Sequence, residues 1–243
     1  MAQPLLTACG LNDQRLPAFT LVKQHSGVDG SFLIASVLGQ RLKLSRENRV
    51  LLVAAQHNYN HYSSACLKLA YNLAPSRDSG QLEVLDVGAE LYQNYPASCP
   101  RLDDVVKRIR TFLEGSPRGT VLFDDLMYFL NFDDSETQLI DIMEDLAGNL
   151  SEDQALVVKL NTADLYEVLC ANLDDLAQTT IQLERLPSGT FREVDGKMSV
   201  SRWQPSEAES LISVKQLERS VLFKVCERNV RIFVPGELGI KHL

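Results

Sequence analysis

The stretch FTLVKQHSGVDGSFLIASVLGQRLKLSRENRVLLVAA, residues 19–55, decides the fold. Its first part, Phe19–Gln24, has the pattern of a strand and is followed by the loop His25–Gly30. A helix begins near Ser31, where apolar side chains recur at helical spacing at Ile34, Val37, Leu38 and Leu42. Arg49–Ala55 is almost entirely apolar, which is typical of a strand buried on both faces of a parallel sheet. This stretch therefore predicts an α/β protein.

The same alternation continues to about residue 172. Further strands are predicted at Gln81–Val87, Thr120–Phe123 and Ala155–Leu160. Helices are predicted at Tyr62–Tyr71, Leu102–Leu113 and Ala163–Ala171, with another that begins at a capping box formed by Ser135 and Gln138. Right-handed crossovers would place the strands in one mostly parallel, doubly wound sheet with helices on both faces.

From Thr179 the apolar period changes to two. Four strand-like runs follow, TTIQLERL, GKMSVSRW, VLFKVCE and NVRIFV, and we expect an antiparallel meander of hairpins. The single domain of residues 1–243 would then comprise a leader at 1–18, an α/β core at 19–172 and an antiparallel β extension at 179–236. The polar linker at 206–213 is expected to be mobile. This is the layout of RecA-type cores, although the pattern alone leaves other α/β folds open.

Composition limits the possible partners. The net charge of −8 disfavours autonomous binding of nucleic acid, so any RNA contact must be local or shared with a partner. Local candidates are two basic groups, which we interpret as solvated helix ends in preference to RNA contacts: Arg41, Lys43, Arg46 and Arg49, and then Lys107, Arg108 and Arg110.

Cysteine usage and the absence of long apolar runs indicate the compartment. Five cysteines without a C-x-x-C pair predict reduced, buried thiols: Cys9, Cys66, Cys99, Cys170 and Cys226. The first residues lack the features of a signal peptide, and no apolar run is long enough to span a bilayer. We expect a protein of the cytoplasm, with the nucleus as a second compartment. We expect no contact with a membrane.

The loop after the first strand lies where a nucleotide loop, G-x-x-x-x-G-K-[ST], would bind phosphates. It comprises HSGVDGSF at residues 25–32, including Gly27 and Asp29. If Gly30 is aligned with the second glycine of the motif, Ser31 stands at the lysine position. If instead Ser31 is aligned with the final hydroxyl residue, Gly30 stands at the lysine position. Both registers lack the lysine, and Asp29 would repel a phosphate by roughly 1–4 kcal/mol. We therefore expect a degenerate loop, with no bound cofactor and no catalytic residue.

Asp124 follows the apolar run VLF and occupies the position of a Walker-B carboxylate. Because no phosphate cradle accompanies it, we interpret Asp124 and Asp125 as polar residues at a strand end in preference to a metal site. His57 and His61 are four apart and would share a helix face, but a third zinc ligand and the glutamate of H-E-x-x-H are missing. Polar contacts at a strand-to-helix loop are the preferred interpretation.

The remaining candidates have structural interpretations. The acid pairs at 103/104, 133/134 and 174/175 are predicted to cap helices or turns rather than to form acid–base dyads. Tyr59 and Tyr62 are expected to pack, and Trp203 to anchor the sheet or an interface. No G-x-S-x-G string of a serine hydrolase occurs.

Six strings in order carry a resemblance to a known family: VDGSFLI at 28–34, RVLLVAAQHNYNHYSSACLKL at 49–69, RDSGQL at 77–82, VLFDDL at 121–126, GKMSVSRW at 196–203 and VRIFVPG at 230–236. Together they resemble the sixth subunit of the Elongator complex. The resemblance runs from about residue 19 to residue 236, with little in the stretch after Val87 and near residues 204–214.

The resemblance implies a RecA-like subunit without Walker A. It implies assembly with the fourth and fifth Elongator subunits into a heterohexameric ring, two copies of each, which contacts transfer RNA. That ring would aid the catalytic Elongator subcomplex, which modifies the wobble uridine at carbon 5. Two alternatives stay open on the residues alone: a degenerate recombinase paralogue that acts as an interaction module, and an active P-loop ATPase.

Overall fold

The computed structural model describes residues 4–94, 102–132, 135–186, 192–204 and 214–234. The strands are β1 Phe19–Gln24, β2 Arg49–Ala54, β3 Leu82–Asp86, β4 Gly119–Phe123, β5 Ala155–Asn161, β6 Thr179–Glu184, β7 Gly196–Gln204, β8 Val214–Val225 and β9 Val230–Phe233. The helices are α1 Pro4–Cys9, α2 Ser31–Leu44, α3 Tyr59–Lys68, α4 Ala74–Asp78, α5 Val87–Asn94, α6 Leu102–Glu114, α7 Glu136–Gly148 and α8 Glu167–Leu176. Short 3₁₀ helices lie at Leu126–Phe132 and Asp164–Tyr166.

Within the described ranges these strands form one sheet in the order β3-β2-β4-β5-β1-β6-β7-β8-β9. All neighbours from β3 to β6 are parallel, and the pairs β6–β7, β7–β8 and β8–β9 are antiparallel. The predicted doubly wound, mostly parallel sheet with C-terminal antiparallel hairpins is therefore confirmed.

One boundary differs from the prediction. The antiparallel extension was expected to begin at Thr179, but β6 pairs in parallel with β1, with Thr20 opposite Thr179. Antiparallel pairing therefore begins on the far side of β6, toward β7. Alternating hydrophobicity could not reveal this, because it reports which face of a strand is buried and not the direction of the neighbouring strand.

Two apolar layers cover the sheet. One face packs against α1, α2 and α3, and the other against α6, α7 and α8. The leader belongs to the first layer, because Leu5, Leu6 and Cys9 of α1 are buried. These contacts make the first residues part of the core, which their short apolar run did not predict.

Local sequence signals predicted one helix start correctly and placed another too late. Ser135 caps α7 as predicted, since its hydroxyl accepts from the Gln138 N–H at 3.1 Å. The helix predicted from Tyr62 begins earlier, at Tyr59, because the Asn58 side chain accepts from the His61 N–H at 3.0 Å. The predicted mobile linker at 206–213 lies outside the described residues, as do Cys99 and the acid pair 133/134.

None of the helices in the described ranges is both long enough and apolar enough to cross a membrane.

Candidate functional site

The carboxyl ends of β1, β2, β4 and β5 meet at one edge of the sheet, which is where open α/β sheets bind ligands. Four segments converge there: the loop between β1 and α2, the loop between β2 and α3, the acidic residues after β4, and the buried strand β5. This edge contains all the residues of the degenerate loop and Asp124.

Two backbone amides at the end of the β1–α2 loop have side-chain acceptors within the protein. The Gly30 N–H donates to Gln24 Oε1 at 2.6 Å, and the Ser31 N–H donates to Asp29 Oδ1 at 2.9 Å. The Ser31 hydroxyl also donates to Asp29 Oδ2 at 2.9 Å. In a phosphate-binding loop these backbone donors point at the ligand. Here Asp29 and Gln24 occupy them.

Neighbouring side chains also approach the two glycines of the loop closely. A Cβ atom at Gly30 would lie 2.8 Å from Leu183 Cδ1 and 3.1 Å from Gln24 Oε1. Gly27 has φ +83°, a conformation that favours glycine, and its carbonyl accepts from Arg185 Nε at 2.9 Å. The Arg185 guanidinium lies where a side chain at Gly27 would be. Leu183 and Arg185 thus pack closely against the two glycines of the loop.

Asp29 remains ionised in this setting. Burial alone would raise its pKa, but the hydrogen bonds from Ser31 outweigh burial and bring the pKa of Asp29 below its ordinary value. His57 Nε2 lies 3.8 Å from Asp29 Oδ1. The loop therefore carries a negative charge at Asp29.

Asp124 is fully buried and accepts hydrogen bonds from four donors. The backbone N–H groups of Ala55, Gln56 and His57 donate to it at 2.7, 2.8 and 2.8 Å, and the Tyr62 hydroxyl donates at 3.2 Å. Burial, together with this carboxylate, raises the pKa of Tyr62. Asp124 therefore fastens the loop between β2 and α3, and its oxygens are occupied by those bonds.

Lys159 is a buried cation that sequence reasoning missed. It lies in the interior of β5, has no exposed surface, and donates from Nζ to Gln56 Oε1. Burial lowers its pKa, and the charges of Asp125, Asp124 and Asp29 oppose that shift. The signal was present in ALVVKL, because a lysine inside a strand buried on both faces needs partners in the interior.

The hydrogen-bond donors to Asp125 are different from those to Asp124. It accepts from the Met127 N–H at 3.1 Å and from Asn161 Nδ2 at 2.9 Å. Burial raises the pKa of Asp125. Three carboxylates therefore surround one lysine at this edge, and the excess charge is negative.

The two histidines meet, although not as predicted. His57 precedes α3 and His61 lies in its first turn, so they do not share a helix face, yet their rings stack with centroids 4.0 Å apart. His61 Nε2 lies 3.2 Å from Ser31 Oγ, and burial lowers the pKa of His61, with His57 adding to the effect. In the part of the chain that is described, no group of three or more His, Cys, Asp or Glu side chains could hold a metal.

The basic groups separate in space. Arg108 and Arg110 form ion pairs with Glu90 and Asp145, both on neighbouring helices. In the first group, Lys43 lies over the Tyr71 ring, Arg49 pairs with Glu83, and Arg46 is exposed, whereas Arg41 is buried.

One acid pair was assigned the wrong role. Asp103 and Asp104 lie in the first turn of α6, as a helix start favours. Asp174 instead lies near the end of α8, where its carboxylate accepts from Lys23 at 2.8 Å and from Lys215 at 2.7 Å. It joins α8 to β1 and β8, a long-range role that sequence spacing could not show.

Trp203 is 36% exposed beside Lys215.

The sheet order and the loop between β1 and α2 define this chain as a RecA-like α/β protein. Solved structures agree with that class: flagellar accessory protein FlaH from Methanocaldococcus jannaschii superposes with a TM-score of 0.68 at 16% identity, covering 96% of each chain. A KaiC-like protein from Pyrococcus horikoshii gives a TM-score of 0.62 at 9% identity, covering 89% of each. At these identities the likeness concerns the fold alone.

Sequence relatives identify the family. No protein-family model matches the chain. Elongator complex protein 6 of Drosophila melanogaster is 38% identical over 254 aligned positions, which cover 99% of this chain and 100% of the relative. Elongator complex protein 6 of Xenopus tropicalis is 25% identical, with 95% of each covered. The chain therefore belongs to the Elongator complex protein 6 family, as its six strings of residues indicated.

Proposed function

We propose that the chain is a non-catalytic subunit of an Elongator accessory ring. In this proposal it assembles with the fourth and fifth Elongator subunits into a hexamer with two copies of each. The ring helps to bind or release transfer RNA while the catalytic subcomplex modifies the wobble uridine at carbon 5. Membership of the Elongator family supports a partnership with other Elongator subunits.

The closed β1–α2 loop carries the non-catalytic part of the proposal. A triphosphate would have to take the Gly30 and Ser31 amides from Gln24 and Asp29, which hold them at 2.6 and 2.9 Å. No residue of the loop at 25–32 supplies the phosphate-binding lysine. Breaking internal bonds without a compensating cation is unfavourable, so binding of ATP at this loop should be very weak.

Lys159 does not replace the missing lysine in this proposal. Its ammonium group is bonded to Gln56 and is surrounded by the charges of Asp29, Asp124 and Asp125. A triphosphate at the loop would add negative charge to a region that already has a negative excess. Magnesium would find few free oxygen ligands in this region, because both carboxylate oxygens of Asp124 already accept hydrogen bonds from the four donors around it.

Titration of the isolated full chain with a fluorescent ATP analogue and magnesium tests this part. We expect no saturable binding in the micromolar range, while an active P-loop ATPase measured in parallel gives a normal isotherm. Saturable micromolar binding that is lost on the substitution Gly30→Ala would place ATP at this loop and contradict the proposal.

Co-expression tests the assembly part separately. With the fourth and fifth Elongator subunits, we expect a discrete hexamer in size-exclusion chromatography with light scattering. The ring should also shift the mobility of transfer RNA more strongly than the isolated chain does, because a chain with net charge −8 repels a phosphate backbone. A stable monomer that ignores both partners would contradict the assembly, as would recovery of recombinases in place of Elongator subunits from the native source.

We further propose the cytoplasm as the main location, with the nucleus second, since that is where transfer RNA and its modifying complexes meet. Immunofluorescence of the tagged chain tests this location.

A further inference from the structure

A polar cavity lies at the opposite, amino-terminal edge of the parallel sheet. It encloses about 300 Å³ between the end of α2, the residues before β4 and β5, and the segment that follows α1. Its lining includes Arg15, Arg41 and Arg118, together with Ser45 and Asp153. A cavity of this size lies at the lower end of the range of ligand sites and is about ten times the volume of one water.

Arg41 distinguishes this cavity from a surface groove, because its side chain is buried and only 3% of the residue is exposed. Its Nε donates to Thr120 Oγ1 at 3.2 Å and its Nη1 donates to the Gln14 carbonyl at 2.5 Å. Among the described residues, no carboxylate lies within 4.0 Å of this guanidinium, and its Nη2 has no acceptor. An arginine cannot shed its proton to relieve such burial.

The other charges around the cavity are arranged differently. Arg118 pairs with Glu47 at 2.6 Å and reaches Asp153 at 3.7 Å. Arg15 pairs with Glu152 at 2.6 Å, and both side chains are mostly exposed. Water screens these outer pairs, whereas Arg41 has no carboxylate partner among the described residues and its Nη2 is open to the cavity.

Burial and the nearby Arg118 lower the pKa of Arg41, and Asp153 opposes that effect. The helix dipole offers partial compensation, because Arg41 lies in the last turn of α2. The dipole does not supply an acceptor for Nη2. An anion inside the cavity would supply one, and it would also be reached by Arg118 from a different element.

We propose that this cavity binds a phosphate group through Arg41 and Arg118. Guanidinium groups from two different elements line the cavity, which suits a tetrahedral ion with several acceptor oxygens. Ser45 lines the same cavity and adds a hydroxyl group. The phosphate belongs either to free inorganic phosphate or to a mononucleotide, and both would present the same group. This site is distinct from the loop at 25–30, so it does not depend on the proposed function.

Thermal unfolding of the full chain tests the site. Phosphate should raise the melting temperature by about 3 °C over chloride at matched pH and ionic strength, since a ligand of the folded state stabilises it. The substitution Arg41→Met should abolish this shift. Arg46→Met is the matched control, because Arg46 is an exposed cation on the adjoining turn that does not line the cavity. It should leave the shift unchanged.

Arg118→Gln guards against a failure of the Arg41 variant to fold, since Arg118 is 44% exposed in its side chain. It should weaken phosphate binding about tenfold in calorimetry, as the loss of one charged hydrogen-bonding group does. Calorimetry with inorganic phosphate, AMP and adenosine then identifies the source. Equal affinity for phosphate and AMP supports free phosphate, tighter binding of AMP supports a nucleotide, and adenosine should be inert.

Two results would overturn the site. One is a wild-type chain whose melting temperature is the same in phosphate and chloride. The other is a phosphate shift that survives in both Arg41→Met and Arg118→Gln. In either case Arg41 would be a brace between Gln14 and Thr120 with no ligand.

Discussion

The two ends of the parallel sheet differ in the partners that the chain supplies to their buried charged groups. At the carboxyl ends, Lys159 and Asp124 find partners within the chain, and the loop amides are bound to Gln24 and Asp29. At the amino ends, Arg41 is buried beside a cavity without a carboxylate partner among the described residues. At the edge where α/β sheets normally bind ligands, these polar groups are thus bonded within the chain, while at the opposite edge Arg41 has no carboxylate partner among the described residues.

The difference teaches that a buried charge indicates a ligand only when its partners are missing. A fully bonded carboxylate such as Asp124 is part of the framework, because each of its hydrogen bonds would have to be broken before a ligand could enter. Position in the fold suggested a Walker-B role for this residue, and its contacts assign it to the framework.

The largest expected effect comes from removing the buried carboxylate at the closed edge. Asp124→Ala leaves three backbone N–H groups and the Tyr62 hydroxyl without their acceptor. We expect a loss of about 3–5 kcal/mol in the free energy of unfolding, measured by urea titration. Asp124→Asn keeps one carbonyl oxygen and should lose less. A fully stable Asp124→Ala would mean that this edge is not held shut by Asp124.

An ion cluster elsewhere sharpens the comparison, because it is paired and partly exposed. Asp174→Asn weakens the bonds from Lys23 and Lys215 and should cost roughly 2 kcal/mol at neutral pH. Burial would raise the pKa of Asp174, but the bonds from Lys215, Lys23 and Thr180 bring it to about 2.

The sign of the pH effect follows from that shift. Because the folded-state pKa is below the ordinary value of 3.8, the stabilising contribution of Asp174 is complete above pH 3.8 and is lost as the pH falls toward 2. The difference in urea midpoint between wild type and Asp174→Asn should therefore shrink over that interval. A difference that stays constant down to pH 2 would contradict the assignment.

A smaller effect tests whether the degenerate loop is sterically full. Gly30→Ala places a Cβ atom 2.8 Å from Leu183 Cδ1, and we expect a loss of about 1–2 kcal/mol in the free energy of unfolding. Gly148→Ala is the control, because a Cβ atom there meets nothing within 4 Å. It should be neutral or slightly stabilising at the end of α7. Equal stability of both variants would show free space in the loop.

The smallest effect concerns the carboxylate that caps the loop. Asp29→Ala removes the acceptor of the Ser31 N–H and should cost about 1 kcal/mol, as the loss of a helix cap does. Asp29→Asn retains an acceptor oxygen and should lose only part of this. Neither variant should gain ATP binding, because Gln24 still holds the Gly30 N–H and the lysine is still missing. Micromolar ATP binding by Asp29→Ala would show that one charge alone blocks the loop.

Much of the fold could be predicted from the sequence. Strand β1 begins and ends as predicted, and the first five strands were located within one or two residues, because strands buried on both faces give almost unbroken apolar runs. Helix α1 and the parallel pairing of β6 were missed. Their positions depend on contacts with segments far along the chain, which local periodicity does not report.

For the candidate site, the sequence showed which phosphate-binding residue is missing, but it did not show which contacts the residues of the site make. The missing lysine was evident in residues 25–32, and this chemistry does not depend on conformation. Arg41 was grouped with Lys43, Arg46 and Arg49 as part of a solvated helix end. Its spacing of three, four and seven residues from Leu38, Val37 and Ile34 placed it on the apolar face of α2, and that signal could have separated it.

The sequence by itself determined the α/β class, the family and the absence of the phosphate-binding lysine, since these follow from residue types and local spacing. Only the tertiary structure decided which charges are paired. The bonds of Asp124 to residues 55–57 and of Lys159 to Gln56 join segments about 70 and 103 residues apart, and Arg41 meets its cavity through the same kind of distant contact. Electrostatic pairing depends on distance in space and on burial, and both are fixed only when the sheet brings its strand ends together.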